Sequence, residues 1–389
     1  MIDSLLSSAK KCSHFKDCSG CSLWNMDYQS QLTFKRSVLE QYLKDKNITL
    51  LTQIKMCGLP SLHFRDRTDI SFIDGQLGFY RNDQSRKIVD IEKCELFSPA
   101  LQSWFNLFKA IIHKHSIFLK DFKISFRLRV SPVGEFGVWI DTSHENTKKL
   151  FDQKVFLFDL LNVSIVEVGQ KLKRLQNVNG DLKLSKEPVL HYWMNSFSET
   201  GEVLKLYSSI GSFTQPGNIA NEILMNECTA LIKNVKIQNQ MCLELFSGMG
   251  NFTLMLLSLG LKVTSIEVSK TAFHALQRAL ENHVNFQSKI HFKELSLYKK
   301  STQSLFSGEE LLVVDPPRSG LGFVVDELEK IEKDIRPKHI IYISCLASTM
   351  VDDLARLNGL GYGIETIIGV DQFAYSEHCE WISYLRLKD

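Results

Sequence analysis

The chain has 389 residues, with 46 lysines and arginines against 44 aspartates and glutamates, and 44% of its residues are hydrophobic. This composition is typical of a soluble globular protein with two or three domains. No apolar stretch approaches the roughly 18 residues of a membrane span, and the N-terminus lacks the layout of a signal peptide. The sequence therefore predicts a cytoplasmic protein without a membrane partner, in which the nine cysteines stay reduced.

The near-neutral total hides an uneven distribution of charge along the chain. Residues 1–200 carry 28 basic against 22 acidic side chains, a net charge of +6. Residues 201–389 carry 18 against 22, a net charge of −4. A basic first half is compatible with a polyanionic partner and equally with an ordinary solvated surface.

Three cysteines near the N-terminus, Cys12, Cys18 and Cys21, follow the spacing C-x5-C-x2-C in a loop that contains Gly and Ser. Cys94 is a fourth candidate, 73 residues after Cys21. Four thiolates can hold zinc or an iron–sulfur cluster, and the pattern does not separate the two. The other interpretation is that these cysteines pack as small hydrophobic residues. Three cysteines without such a pattern are expected in the core: Cys57, Cys228 and Cys242.

The rest of the first 200 residues contains short β-prone runs separated by turn signals. The runs "DRTDISFID", "KISFRLRVS" and "EFGVWIDTS" predict strands. Asp74–Gly75 and Asn179–Gly180 predict tight turns. We expect a mostly antiparallel α+β domain over residues 1–205.

From about Met241 the pattern changes to a regular alternation of strands and helices. "MCLELFSG", "KVTSIEVS", "LLVVDPP", "HIIYISC", "IETIIGVD" and "EWISYLRL" predict strands, and the segments between them predict helices. Such an alternation indicates a parallel sheet with helices on both faces and a ligand at the carboxyl ends of the strands. We expect this α/β domain over residues 206–389.

A glycine-rich loop, "SGMGNF" at Ser247–Phe252, follows the first of these strands. Glycines there allow the backbone to approach a nucleotide-like ligand. Glu267 comes 16 residues after Asn251, at the end of the second strand, where an acidic side chain can receive ribose hydroxyls. The alternative for Glu267 is a solvated acid at a strand end.

Later strand ends carry candidates for a nucleophile and a base. "VVDPPRSG" places Asp315 at the end of the predicted strand "LLVVDPP", followed by two prolines that stiffen the turn. "YISC" ends the predicted strand "HIIYISC" with Cys345, near a helix N-terminus that we expect to lower the pKa of the thiol. A buried structural cysteine is the other interpretation. Glu380 stands at the start of the last strand.

A thiol and a carboxylate base are the groups that methylation of an unactivated pyrimidine carbon requires. Carbon 5 of uracil is a poor nucleophile until a thiolate adds to carbon 6 and creates an enolate. A base must then remove the proton from carbon 5 before the cysteine can leave.

The set "SFTQ", "LFSGMGNFTL", "DPPRSG", "YISC" and "DQFAYSEHCE", with the cysteines upstream, resembles the S-adenosylmethionine-dependent RNA uracil-5-methyltransferases. The match runs from Cys12 to the C-terminus in the same order. The resemblance implies a Rossmann-like class I methyltransferase domain after an N-terminal α+β domain that binds an iron–sulfur cluster and RNA. It implies Cys345 as nucleophile and Glu380 as base. It also implies a 4Fe–4S cluster on Cys12, Cys18, Cys21 and Cys94, and contacts to S-adenosylmethionine from Gln215, Phe246, Gly248, Asn251, Glu267 and Asp315.

The short segment before Cys12 resembles the subgroup that lacks an extra N-terminal β-barrel and modifies a uridine in 23S ribosomal RNA. We expect a monomer whose first half binds RNA, with candidate contacts from Arg65, Arg67, Arg81, Arg86 and Lys87. The alternatives are a tRNA uridine-5-methyltransferase, an inactive iron–sulfur RNA-binding factor, and a zinc-binding methyltransferase of another base.

Overall fold

The computed structural model describes residues 12–50, 52–59, 62–83, 85–142, 144–298 and 305–388. The helices are α1 (Tyr28–Asp45), α2 (Pro99–Lys114), α3 (Ser116–Leu119), α4 (His144–Phe151), α5 (Lys154–Leu161), α6 (Asn218–Asn234), α7 (Asn251–Ser258), α8 (Lys270–Leu280), α9 (Val284–Gln287), α10 (Val324–Lys330) and α11 (Ala347–Gly359). A 3₁₀ helix covers Lys333–Ile335.

The strands are β1 (Lys55–Cys57), β2 (Arg67–Ile73), β3 (Gln76–Tyr80), β4 (Ile88–Asp90), β5 (Ile124–Val130), β6 (Phe136–Asp141), β7 (Ile165–Val168), β8 (Lys173–Val178), β9 (Asp181–Pro188), β10 (His191–Phe197), β11 (Val203–Ser208), β12 (Met241–Leu245), β13 (Lys262–Glu267), β14 (Ile290–Glu294), β15 (Leu311–Val314), β16 (His339–Ser344), β17 (Tyr362–Val370) and β18 (Glu380–Leu387). No helix within these described ranges is long and apolar enough to span a membrane.

The chain divides into two compact units built from interleaved segments. Unit 1 comprises the segment up to Asp27, Pro60–Met194 and Tyr207–Ile219. Unit 2 comprises Tyr28–Leu59, Asn195–Leu206 and Ala220–Asp389. This division differs from the single boundary expected after residue 205, because α1 and β1 come from the first half of the sequence and belong to unit 2.

An eight-stranded sheet of order β1-β17-β18-β16-β15-β12-β13-β14 forms the centre of unit 2. Its strands run parallel except β18, which is antiparallel to both β16 and β17. In this sheet β13 and β14 lie on one side of β12, and β15 and β16 lie on its other side. The strand order reverses at β12 and β15, and the carboxyl ends of strands at such a reversal are where open α/β sheets bind ligands.

The strand and helix alternation predicted from Met241 onward is confirmed. Two strands of this sheet, β14 and β1, were not predicted. β14 continues the parallel set beyond β13, in register from Val263 with Ile290 to Glu267 with Glu294. β1 pairs with β17 through only three residues, Lys55 to Cys57. The large core of unit 2 packs on this sheet and includes Tyr342, Leu354 and Leu385, which are fully buried.

Unit 1 contains a second eight-stranded sheet, of order β4-β3-β2-β5-β6-β7-β8-β9. Its pairs are antiparallel except β6 with β7, which are parallel. The turns predicted at Asp74–Gly75 and Asn179–Gly180 close hairpins, and all four residues have positive φ, as a type I′ turn requires. Helix α2 packs on this sheet, and its buried Trp104 donates a hydrogen bond from Nε1 to the carbonyl of Gly137 at 3.0 Å.

Candidate active site

The glycine-rich loop after β12 has the backbone of a ligand cradle. Phe246, Gly248 and Gly250 have φ values of 62°, 55° and 93°. A Cβ added at Gly250 would come within 2.5 Å of Leu276 Cδ1, so this glycine is needed for packing. A Cβ at Gly248 would meet no atom within 4 Å, so the backbone there faces open space. A small ligand can therefore reach the main chain at Gly248, as the sequence predicted.

Glu267 at the end of β13 is held by backbone amides. Its Oε2 accepts from the N–H of Gly248 at 3.0 Å. Its Oε1 accepts from the N–H groups of Val268 at 2.8 Å and Ser269 at 2.9 Å. A carboxylate offers about four acceptor positions, so one position on Oε2 is left for a donor such as a ribose hydroxyl. This arrangement is compatible with the predicted role of Glu267, which stays a prediction.

Asn251, at the start of α7, uses its side chain within the protein. Its amide exchanges two hydrogen bonds with Asn221, one of 2.8 Å and one of 2.9 Å. Its carbonyl accepts from Ser196 Oγ at 2.7 Å. Asn251 therefore anchors the glycine-rich loop through its side chain. A direct contact of Asn251 with a cofactor stays a prediction.

Asp315 lies immediately after β15, at the point where the strand order reverses. Its pKa is raised to about 7 by burial. The turn that follows is closed by a hydrogen bond from the N–H of Gly320 to the carbonyl of Pro317 at 2.9 Å. Asp353 Oδ2 fixes this turn by accepting from the N–H of Leu321 at 2.8 Å. The turn presents Arg318 to solvent.

Cys345 follows β16 directly, and its thiol is free and half-buried. Burial raises the pKa of this thiol, and the negative charge of Glu380 raises it further. A hydrogen bond from Arg318 and its positive charge oppose the rise. The predicted lowering by the helix N-terminus is thus wrong in its net direction, because burial and the nearby carboxylates outweigh it.

Glu380 is the first residue of β18 and is 3% exposed. The pKa of its carboxyl is raised well above the usual range by burial and then by the charge of Asp315. Gln372 donates a hydrogen bond from Nε2 to Glu380 Oε2 and lowers that pKa in part. The nearby His378 is exposed.

The antiparallel pairing of β16 with β18 brings nucleophile and base together. The register ends where Ser344 pairs with Trp381, so Cys345, directly after β16, and Glu380, directly before Trp381, lie near the same end of the pair, and the charge of Glu380 acts on the thiol. Sequence reasoning missed Arg318 and Gln372 as partners of this pair. The "DPPR" motif and the polar run "DQFAYSEHC" were the available signals.

Gln215 belongs to unit 1, where it lines a small pocket with Arg67, Arg129, Trp193 and Thr214. Its side chain is 6% exposed, and its Oε1 has no hydrogen-bond partner within the described part of the chain. A buried acceptor of this kind needs a donor, which is compatible with its predicted role as a ligand contact.

Two of the arginines proposed to bind RNA are occupied within unit 1. Arg81 forms salt bridges with Asp17 at 2.5 Å and Asp83 at 3.0 Å. The pKa of Arg67 is lowered to about 10 by burial and then by Arg127, and its guanidinium lies over the ring of Phe213. Arg86 and Lys87 are exposed and stay candidates.

The four N-terminal candidate ligands are free thiols that share one electrostatic environment in unit 1. Burial, followed by the charge of Cys94, raises the pKa of Cys21 to about 12, and Cys18 and Cys12 add to the rise. The pKa of Cys94 is raised to about 11, mainly by burial. Among the described residues, no three His, Cys, Asp or Glu side chains are arranged to hold a metal ion. The donor type fits an iron–sulfur cluster, whereas the side-chain arrangement is that of free thiols.

The remaining cysteines follow the sequence prediction except for Cys57. Cys228 and Cys242 are buried in unit 2. Cys57 is half-buried, and its Sγ lies 3.4 Å from Glu227 Oε1. Its place on β1, at the edge of the sheet, explains this exposure.

The parallel sheet of unit 2, with a glycine-rich loop, a thiol and a carboxylate at its strand ends, has the architecture of an α/β methyltransferase. The model of the tRNA (Uracil-5-)-methyltransferase family matches residues 27–388, and the chain belongs to this family. It is an S-adenosylmethionine-dependent RNA uracil-5-methyltransferase.

Individual relatives agree with this assignment. An uncharacterized RNA methyltransferase of Bdellovibrio bacteriovorus is 32% identical over 381 residues, covering 96% of this chain and 95% of the relative. The 23S rRNA (uracil(1939)-C(5))-methyltransferase RlmD of Haemophilus influenzae is 26% identical, with 97% and 82% covered. The Pyrococcus abyssi tRNA (uracil-54, C5)-methyltransferase, solved with S-adenosyl-L-homocysteine, has a TM-score of 0.68 at 22% identity, covering 95% of this chain and 86% of that one. The last comparison shows the shared fold.

Proposed function

We propose that this protein methylates carbon 5 of a uridine in RNA through a covalent bond between Cys345 and carbon 6 of the base. The observation that carries the proposal is the register of β16 and β18, in which Ser344 pairs with Trp381. This register supports a placement of Cys345 near Glu380, and the charge of Asp315 acts on both. A nucleophile and a base near each other at strand ends are what the reaction needs.

Cys345 begins the reaction as a thiolate. Its sulfur attacks carbon 6 of uracil, and the electrons of the 5,6 double bond move to carbon 5 and the 4-oxygen as an enolate. The thiol proton leaves through the solvent-exposed side of Cys345. Arg318 favours the thiolate by its hydrogen bond and charge. Carbon 5 then attacks the methyl group that S-adenosylmethionine would supply when bound; the methyl–sulfur bond would break and S-adenosylhomocysteine would leave.

Glu380 completes the reaction as the base. After methyl transfer, carbon 5 carries both the methyl group and its original proton. Glu380 removes this proton, the 5,6 double bond forms again, and the Cys345 sulfur leaves carbon 6. Burial of Glu380 makes its carboxylate a stronger base than a solvated one. The side-chain amide of Gln372 donates a hydrogen bond to this carboxylate.

Phe246, Gly248, Glu267 and Asp315 are proposed to hold the methyl donor, with Gln215 and Asn251 as the further contacts that the resemblance implies. The open backbone at Gly248 and the spare acceptor position on Glu267 support this assignment. Asp315 lies at the strand-order reversal, where such ligands bind. We also propose that the protein acts as a monomer.

Cys12, Cys18, Cys21 and Cys94 are proposed to hold a 4Fe–4S cluster. The support is their shared environment and the usual preference of such clusters for four thiolates. No step of the reaction passes through the cluster. Its binding would tie the loop of Cys12 to Cys21 to the segment around Cys94 and so add to the folding free energy of unit 1.

The proposed substrate is 23S ribosomal RNA, with tRNA as the second candidate, and the reaction would then take place in the cytoplasm. The names of the Haemophilus relative and of a 24% identical Pyrococcus furiosus tRNA (uracil(54)-C(5))-methyltransferase support these two classes. The exposed Arg86 and Lys87 are proposed as RNA contacts in the basic first half of the chain.

Mapping 5-methyluridine in total RNA tests the proposed function. RNA from cells with the gene, without it, and complemented with wild type or Cys345→Ala is digested and sequenced at modified positions. We expect one or more 5-methyluridines that disappear without the gene and return only with the wild-type protein. Restoration by Cys345→Ala would contradict the covalent mechanism, and an unchanged map would contradict both proposed substrates.

A further inference from the structure

Gln372 occupies a rigidly held position beside the proposed base. Its side chain is fully buried, and its N–H donates to the carbonyl of Val370 at 2.9 Å. The preceding residue, Asp371, forms a buried ion pair with Lys35 of α1 at 2.5 Å. Lys35 Nζ also donates to the carbonyl of Phe373 at 3.1 Å. The backbone on both sides of Gln372 is therefore fixed by a charged contact.

The side chain of Gln372 is less favourable for folding than an apolar side chain would be. Its Nε2 donates to Glu380 Oε2, but its Oε1 is buried without a hydrogen-bond partner among the residues that the structure describes. A buried amide oxygen without a donor destabilises the folded state. An apolar side chain of the same length would fill the site without that penalty. Polar groups that folding does not favour are expected at functional sites.

We propose that Gln372 is a positioning residue that orients the Glu380 carboxylate toward carbon 5 of the bound uracil. This inference rests on the proposed function of Glu380. A hydrogen bond from an amide to one carboxylate oxygen fixes the rotation of the group and leaves the other oxygen to receive the proton. The same bond stabilises the charged form of the carboxylate, which is the form that can act as a base.

Several titratable groups face Glu380, and the effect of Gln372 must be separated from theirs. They are Asp315 after β15, Cys345 after β16, Cys228 on α6 and Cys379 beside Glu380 itself. Asp315 opposes ionisation of Glu380, whereas Gln372 favours it. Loss of the Gln372 amide therefore leaves Asp315 unopposed and moves the ionisation of Glu380 to higher pH.

The substitution Gln372→Met tests the proposal because it keeps the length of the side chain and removes the amide. Holoenzyme is mixed with labelled S-adenosylmethionine and total RNA from cells that lack the gene. Methyl transfer to RNA and release of free methylated RNA are timed separately between pH 6 and 9. We expect methyl transfer close to wild type and release slowed by about tenfold. The acid limb of the release rate should move to higher pH, and a methylated RNA–protein complex should accumulate.

Gln41→Met is the matched control, since Gln41 is exposed and its amide also donates to a carboxylate, that of Asp45 at 2.7 Å. It should release RNA at the wild-type rate. If Gln372→Met does not fold, Gln372→Asn keeps the amide but withdraws it by one methylene, and the same slow release is expected.

Release at the wild-type rate with an unchanged pH profile would overturn the proposal. So would a fall in stability with both rates reduced together, because that result indicates a packing role. The proposed function fails separately if wild-type protein transfers no methyl group to uridine or if Cys345→Ala does so normally.

Discussion

Arg318 is the positive charge that acts on the Cys345 thiol from the tip of the Pro317–Gly320 turn. Because its hydrogen bond and charge lower the pKa of Cys345, Arg318→Gln should raise that pKa and reduce the thiolate at neutral pH. We expect adduct formation to slow by roughly three- to tenfold at pH 7 and to recover as the pH rises. Arg318→Lys keeps the charge, and its rate of adduct formation should lie between those of wild type and Arg318→Gln. The measurement is the rate of covalent complex formation with 5-fluorouridine-containing RNA as a function of pH. A pH profile identical to that of wild type would show that Arg318 does not assist the thiolate.

Glu244, buried under α7, makes stability depend on pH. Thr253 Oγ1 donates to its Oε2 at 2.5 Å, yet burial raises the pKa of Glu244 from 4.5 to about 8. Between these values the folded state holds a proton that the unfolded state has lost, so stability falls as the pH rises from about 4.5 to about 8. Glu244→Gln should make this fall shallower in urea unfolding curves recorded at several pH values. Glu281→Gln, at an exposed position, is the control. Parallel curves for wild type and Glu244→Gln would contradict the assignment.

At the scale of elements, helix α1 holds the segment that leads into β18. Lys35 and Asp371 are both fully buried, and removing one partner leaves a buried charge unpaired. We expect Lys35→Met to lower the free energy of unfolding by about 3–5 kcal/mol, and Lys35→Met with Asp371→Leu to lose much less than that. Lys46→Met, which breaks the exposed pair of Lys46 with Asp352, should cost less than about 1 kcal/mol. Urea unfolding of the four proteins measures these differences. Equal losses for Lys35→Met and Lys46→Met would contradict the anchoring role of Lys35.

The elements that the sequence predicted are those whose signal is local. Hydrophobic periodicity predicted β12, α7, β13 and α11. The turn residues Asp74–Gly75 predicted the hairpin of β2 and β3. β1 escaped because three residues carry no periodicity and its pairing with β17 joins distant parts of the chain. In the site, Cys345 and Glu380 could be chosen from their chemistry and the family resemblance. Gln372 could not, because only the folded chain shows that its amide is buried against Glu380.

At the scale of the whole molecule, the proposed cluster belongs to unit 1, whereas the proposed methyl-donor contacts belong to unit 2 except for Gln215. Loss of the cluster should therefore affect unit 1 most and leave the donor contacts of unit 2 in place. We expect Cys18→Ser to lose iron and its visible absorbance, to bind RNA more weakly, and to bind S-adenosylmethionine with an affinity within about twofold of wild type, since its substitution touches no proposed donor contact. Cys242→Ser, at a buried cysteine outside the proposed ligand set, is the control for general effects on folding.

Iron content, absorbance and calorimetric titration of anaerobically purified protein measure these properties. An iron content unchanged in Cys18→Ser would remove Cys18 from the ligand set. Zinc in place of iron in the wild-type protein would contradict the proposed cluster.

The covalent route through Cys345, resolved by Glu380, is tested most directly by isolating the intermediate that Glu380→Gln should trap. The variant keeps the shape of the side chain and removes the base, so the methyl group is transferred but the proton on carbon 5 stays. With labelled S-adenosylmethionine and RNA from cells lacking the gene, we expect a methylated RNA–protein complex that survives denaturing electrophoresis. Mass spectrometry of its peptides should place a methylated uridine on Cys345. Release of free 5-methyluridine RNA at close to the wild-type rate, or attachment to another residue, would contradict this mechanism.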